Sequence, residues 1–384
     1  MKNSRLWDLS DDYTRASNRT QSEQLGEFVC GETREQFGFL GGDRRRANEY
    51  WEKGAALKTA RYHRHGGPEV LVIEEVDEPA PGPGQVVIRT EAIGGSFVDT
   101  TLRAGISALG RSPLPGSLHG DVVGVVQTVG EGVDSAWTGC RVAALVAVDA
   151  YAEFVTADAD WLAPVPEGVA PADASNLAMP GPVALLALRW GRVAAGDTVL
   201  VHAAAGNIGH LALQLARLEG AGRVIATAGS PAKLDFARAH GADIAISYAD
   251  PDWPQQLREA VPGGVDVALD SIGGTTTAAT LGLLAPGGRL VIYGVAGGAL
   301  PELPVGEVLA LRSVTGFSIA GFRAAFPDEA HQHLREYAAH VAHGQVRTAV
   351  GAIVPLTDPA AAHRKLEDRT RSGRVLIVPD TSTE

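Results

Sequence analysis

The sequence predicts an α/β protein in which a doubly wound parallel sheet is joined to a β-rich unit. From residue 178 onward, short apolar strands alternate with amphipathic helices, as consecutive βαβ units do. One strand–helix junction, Val199-Leu-Val-His-Ala-Ala-Ala-Gly-Asn-Ile-Gly209, passes through a small-residue turn of the dinucleotide-binding kind. Residues 58–176 instead carry short strands punctuated by Gly and Pro, the pattern of a small barrel or sandwich.

In chain order, residues 1–57 come first: polar and charge-mixed, with scattered aromatics (Trp7, Phe28, Phe37, Phe39, Trp51) and weak periodicity. They read as an extension, poorly ordered or docked on a surface, with a helix over 42–53 as its one suggested element. Strands follow at 70–73 and 85–89. The linker between them, Pro79-Ala-Pro-Gly-Pro-Gly84, fits neither a helix nor a central strand. Further strands are expected at 121–129, 141–146 and 152–156. The parallel series has strands at 198–201, 223–227, 244–247, 265–270 and 289–293. Its helices are expected at 209–219, 231–240, 253–260 and 275–284. The tail, with strands near 350–354 and 374–378, returns to complete the first unit.

Bulk properties narrow the function. A chain of 384 residues holds two substantial cores. Its 45 acidic and 33 basic residues leave a net charge of −12, so no global basic field favours nucleic acid or an anionic membrane. The triplet Arg44-Arg45-Arg46, beside Asp43, reads as a solvated surface run. Two cysteines, Cys30 and Cys140, suggest neither a four-cysteine zinc lobe nor a disulfide framework, so a cytoplasmic setting is expected. The first residues lack a signal-like apolar core, and no apolar run is long enough to span a membrane.

The turn sets the chemistry. Gly206 lets the backbone approach a pyrophosphate, and Gly209 lets the helix pack on its strand. The helix N-terminus offers free N–H groups and a positive dipole end. Ala204 stands where the fingerprint opens with Gly, and Asn207, which can adopt left-handed geometry, leaves the turn intact. The second strand ends Val224-Ile-Ala-Thr-Ala-Gly-Ser230, without the Asp or Glu that would accept from an NAD ribose. Gly229, Ser230 and Lys233 suit a 2′-phosphate instead, which favours NADPH.

Several segments then align in order with one family. They are Phe97-Val-Asp99-Thr-Thr-Leu-Arg103-Ala-Gly105, the glycine-punctuated pair from His119 to Val133, the turn His202–Gly209, the run from Lys233 to Asp243, Ser271-Ile-Gly-Gly274, and Leu284-Ala-Pro-Gly-Gly-Arg-Leu-Val291. Over 58–379 the chain resembles the medium-chain dehydrogenase/reductase superfamily, and within it the zinc-free NADPH:quinone oxidoreductases. The resemblance implies a GroES-like catalytic unit (58–178 and 318–384) and a Rossmann NADP-binding unit (179–317). It adds Ala205, Ile208, Tyr248, Ile272, Tyr293, Gly294, Phe317 and Arg369 to the cofactor-binding set. Pro182 stands where many relatives place a cofactor-binding Thr. The resemblance also implies a homodimer paired through 299–315.

Zinc-dependent relatives supply a Cys where this chain has Ser96, and Gly-His-Glu near Leu118-His119-Gly120-Asp121. No metal is therefore expected, and His119 reads as a polar residue in a turn before a strand. Without a Lewis acid, a plain ketone is a poor hydride acceptor, whereas a quinone or α,β-unsaturated carbonyl spreads the charge. Ser96 and Asp99 are the expected catalytic groups. Asp99 has two competing structural roles, as a partner of Arg103 or of a backbone N–H. Ile106 follows Gly105 where the family often has Tyr, which removes one proton donor. Two other readings stay open: a specialised-metabolism enzyme on this scaffold (a stand-alone enoyl reductase or cyclase), and a non-catalytic NADPH-binding protein.

Overall fold

The computed structural model describes residues 57–108 and 110–380. The expected 42–53 helix, the rest of the extension and Cys30 lie outside the described residues. The first described strands, β1 (Leu57–Tyr62) and β2 (Leu71–Val76), form an antiparallel pair.

A seven-stranded sheet follows, built on β3 (Gln85–Gly94), β4 (Gly120–Val129), β5 (Arg141–Val146), β6 (Phe154–Asp158) and β7 (Ala163–Pro164). The first half of β3 pairs with β6, while its last residues pair with a strand from the far end of the chain. Alternate residues of these strands, including Val86, Ile88, Val122 and Val142, fill a core with Tyr62, Trp137 and Tyr151. Helix α1 (Phe97–Ala104) leaves the end of β3, and a short α2 (Pro171–Ala174) leads out of the sheet.

Helix α3 (Pro180–Trp190) joins the two units, and the sequence reading missed it. Its opening, Pro180-Gly-Pro182, looks like a breaker, but the prolines occupy the first turn, where no helical N–H is needed. Every residue from Pro180 to Leu188 is buried. One apolar cluster runs through this helix from Val123 and Ala143 of the first sheet to Val199 and Leu269 of the second.

The second sheet consists of β8 (Thr198–Val201), β9 (Arg223–Ala228), β10 (Ile244–Ser247), β11 (Val265–Asp270), β12 (Leu284–Ile292) and β13 (Ser313–Gly316). All of its pairings are parallel, in the order β10-β9-β8-β11-β12-β13. The strand order reverses between β8 and β11, which is where such sheets open a ligand crevice. The crossovers are α4 (Asn207–Leu218), α5 (Pro231–Ala239), α6 (Trp253–Ala260) and α7 (Gly274–Leu281). The expected helix over 275–284 stops at Leu281, because Leu284 already pairs with Val265.

Beyond β12 come α8 (Val305–Leu309), α9 (Ile319–Ala325) and α10 (Pro327–Ala342). Then β14 (Val350–Pro355), α11 (Pro359–Glu367) and β15 (Arg374–Val378) return to the first sheet, where β15 pairs with β3. No helix among the described residues is long and apolar enough to cross a membrane.

Candidate active site

The chain turns sharply at the end of β8. Ala203 takes the left-handed conformation (φ 48°), and Gly206 is extended and caps α4. Asn207 is already helical, and the left-handed geometry falls on Ala203 instead. A Cβ at Gly209 would overlap the Ala203 carbonyl oxygen and come within 2.7 Å of the Ala204 Cα, so only glycine lets the helix start this close to the turn. At Gly206 the nearest atom to a Cβ is the Ala203 oxygen at 3.1 Å. The N–H groups of Asn207, Ile208 and Gly209 precede the first helical acceptor and need partners from outside the helix.

Asn207 has a defined place. Its Nδ2 donates to Asn176 Oδ1 at 3.0 Å, and Asn176 Nδ2 donates to Thr348 Oγ1 at 2.8 Å. The Asn207 Oδ1 is buried without a partner. His210, one turn on, donates from Nδ1 to the Gly206 carbonyl (2.9 Å) and accepts from the Ala349 N–H at Nε2 (3.1 Å). Burial lowers its pKa to about 4. Gly373 N–H reaches the Ala205 carbonyl at 2.9 Å. The turn is thus held to α3's lead-in and to the returning C-terminal strands.

At the end of β9, Ser230 precedes α5, and its hydroxyl makes no cap bond. A Cβ on Gly229 would sit 3.2 Å from the Tyr248 ring. Lys233 lies half-buried in the first turn of α5. Burial lowers its pKa first; the nearby Arg371 and Arg369 lower it further, and Asp368 opposes them. Arg369 also draws down the Tyr248 hydroxyl, which burial raises. Lys233, Tyr248 and Arg369 therefore share one locality. Arg371, not singled out from the sequence, joins them but is committed to the Lys365 carbonyl (2.9 Å) and the Gly373 carbonyl. Two uncommitted cations and two hydroxyls suit a phosphate monoester. With the glycine cradle and the unspent N–H groups, these residues fit NADPH.

At the ends of β11 and β12, Asp270 accepts from the N–H groups of Ile272 (2.7 Å) and Gly273 (3.4 Å) and from the Thr277 hydroxyl, fixing the turn at 271–274. A Cβ on Gly294 would touch Ser271 at 3.3 Å, and burial pushes the Tyr293 hydroxyl up to about 12. Phe317 differs from expectation. Its ring is buried against Trp190 and Phe322, with centroids 6.5 and 5.9 Å away, while its N–H pairs with the Ile292 carbonyl. Only its backbone is left at the strand end.

The second polar locality is the edge of the first sheet. Gly94 of β3 pairs with Asp121 of β4, and just beyond this last pair lie Ser96, which precedes α1, and His119, which precedes β4. The Ser96 hydroxyl makes no bond to α1, the helix it precedes. Asp99, one turn into α1, is 1% exposed. Its Oδ1 accepts from His119 Nδ1 at 2.7 Å and from the His119 N–H at 3.3 Å, while Oδ2 is buried without a partner. The backbone-partner role expected of Asp99 is realised through His119. Arg103 turns instead to Glu367 (2.5 Å) and the Gly66 carbonyl (3.1 Å). Burial raises the Asp99 pKa, and the His119 bond pulls it back. That same bond raises the His119 pKa against burial.

Next to this pair, Arg374 bonds Asp121 at 2.7 Å, the Ser175 carbonyl at 3.0 Å and the Ser175 hydroxyl at 3.3 Å. A Cβ on Gly94 would overlap the Arg374 guanidinium. This clamp ties the start of β4, next to His119, to the segment leading into α3. Among the described residues, no group of three or more His, Cys, Asp or Glu is gathered for a metal ion. Asp121 is spent on Arg374 and position 96 offers a hydroxyl, so the donor set does not fit catalytic zinc with three protein ligands.

Residues 82–167 match the family model of the alcohol dehydrogenase GroES-like domain, and residues 207–337 match that of the zinc-binding dehydrogenase. A 2-haloacrylate reductase of Burkholderia sp is 34% identical over 336 residues, 84% of this chain and 99% of the relative. The chain belongs to the medium-chain dehydrogenase/reductase superfamily, in its zinc-free quinone-oxidoreductase-like branch. Two solved superfamily structures are similar throughout. A mycobacterial protein complexed with NADPH matches at TM-score 0.77 and 33% identity, covering 84% of this chain and all of the other. Escherichia coli quinone oxidoreductase complexed with NADPH matches at TM-score 0.76 and 30% identity, with the same coverage. This superfamily member has the expected architecture, a GroES-like unit joined to a Rossmann-like one.

Proposed function

We propose that the chain is an NADPH-dependent reductase that transfers hydride to a quinone or an α,β-unsaturated carbonyl without zinc. The observation that carries this is the donor set at the sheet edge. Ser96 offers a hydroxyl, and Asp99 and His119 form a pair, where a zinc enzyme would need three protein ligands and an open fourth position. Such neutral and cationic donors stabilise an enolate or hydroquinone anion, in which charge is already delocalised, better than a localised alkoxide. When bound, NADPH supplies the hydride. Gly206, Gly209 and the N–H groups of 207–209 would hold its pyrophosphate. Ser230, Lys233, Tyr248 and Arg369 would hold the 2′-phosphate. Ile272, Tyr293, Gly294 and the Phe317 backbone would border the nicotinamide end. Ser96 would orient the substrate carbonyl.

The same reading includes a homodimer. Edge strand β13 is flanked by exposed Leu300, Val305, Leu309 and Leu311, the last two 81% and 75% exposed. An unpaired strand edge beside such an apolar row favours pairing with a second copy.

Steady-state oxidation of NADPH with a panel of quinones, enones and 2-haloacrylate tests the function, with NADH as the control. Turnover with a clear preference for NADPH is expected. Tight NADPH binding without turnover of any acceptor would overturn the proposal in favour of a binding protein.

A further inference from the structure

Reduction of a conjugated carbonyl needs a proton as well as a hydride, and the residue the family often supplies after the Arg-x-Gly segment is here Ile106. The structure assembles another candidate. His119 immediately precedes β4, and both its N–H and its ring are bonded to Asp99, three residues after Ser96. Its Nδ1–H is fixed by Asp99, and among the described residues its Nε2 has no bonded partner. The ring is 41% exposed while Asp99 is 1% exposed. A buried carboxylate orienting a half-exposed imidazole is the geometry of a general acid with its positioning group. The pair does little for packing, since it leaves Asp99 Oδ2 buried and unbonded.

We propose that His119 protonates the reduced substrate from Nε2 while Asp99 positions it. This rests on the conjugated-acceptor reading above. Hydride addition forms one C–H bond and moves the π pair to the carbonyl oxygen, giving an enolate or hydroquinone anion. The imidazolium Nε2–H bond then breaks. Its proton joins the oxygen, and the electron pair stays on the neutral ring, still bonded to Asp99. The exposed edge takes a new proton from water. The substrate is reduced by two electrons and NADPH is oxidised by two.

The surroundings permit a charged ring. Asp99 on α1 faces it directly. Asp121, two residues along, is neutralised by Arg374 of β15. Tyr151, between β5 and β6, is a buried neutral hydroxyl within reach of both carboxylates. Hydrogen bonding to Asp99 favours the protonated ring.

The test compares His119→Asn, which keeps a donor toward Asp99, with Asp99→Asn. Wild-type kcat is expected to fall as pH rises through the His119 pKa. In His119→Asn, kcat drops about 10²-fold with KM little changed, and that alkaline limb disappears. In Asp99→Asn the limb persists but moves to lower pH. NMR titration of the His119 ring without cofactor gives an independent readout, expected to titrate above an ordinary histidine and to shift down in Asp99→Asn. An unchanged kcat and limb in His119→Asn, or a ring titrating at or below the ordinary range, would overturn the assignment while leaving the reductase reading intact. A wild-type chain that reduces no acceptor would overturn both.

Discussion

Acid should loosen the dinucleotide turn through His210. The ring is fully buried and its two bonds require the neutral form with hydrogen on Nδ1, since Nε2 must accept from Ala349. Its folded pKa of about 4 lies below the ordinary 6.5 because burial disfavours the cation. As pH falls, the unfolded chain takes up the proton first. Stability therefore declines from about pH 6.5 to about pH 4, is unaffected by this residue above that window, and falls no further below it. At about 1.4 kcal/mol per pH unit, the loss amounts to ~3 kcal/mol. Guanidinium unfolding at several pH values, on wild type and His210→Asn, isolates the effect, because all other groups titrate in both proteins. Wild type should lose ~3 kcal/mol more than the variant between neutral pH and pH 4. Parallel stability curves for the two would refute the reasoning.

Arg374→Ala leaves Asp121 buried without its cation and should cost about 3–5 kcal/mol. A double-mutant cycle with Asp121→Ala should show the two losses to be strongly non-additive. Lys233→Ala, combined with Arg369→Ala, should weaken NADPH binding by roughly 10- to 100-fold, as expected for a lost charge-assisted bond, and leave NADH binding unchanged in calorimetry. Leu309→Asp with Leu311→Asp should shift the chain to a monomer in light scattering, without loss of folded signal, if the β13 edge pairs two copies.

The parallel sheet was legible because its strands are short uniform apolar runs and its helices are amphipathic; β8, β10 and β11 begin and end at the expected residues. Two helices escaped notice for different reasons. Helix α3 is buried on all sides and shows no polar face to set a period, and α1 hides buried Asp99 and Arg103 on its inner face. The tight turn after β8 was readable because backbone geometry demands glycine at 209. His119 was not. Its significance comes from its two bonds to Asp99, twenty residues earlier in the chain, a relation made by the fold rather than by spacing. Arg374, likewise, meets Asp121 only because β15 returns to β3. Phe317 is different again: its residue type matched the family, while its ring turned into the core and its backbone stayed at the strand end.

The return of the last strands also bears on how the protein comes into being. Ala205 and His210 each depend on backbone N–H groups supplied at Gly373 and Ala349, and Arg369 belongs to the same late segment. The nucleotide cradle is therefore translated early but finished late. The turn after β8 thus reaches its described bonding only when β15 has paired with β3.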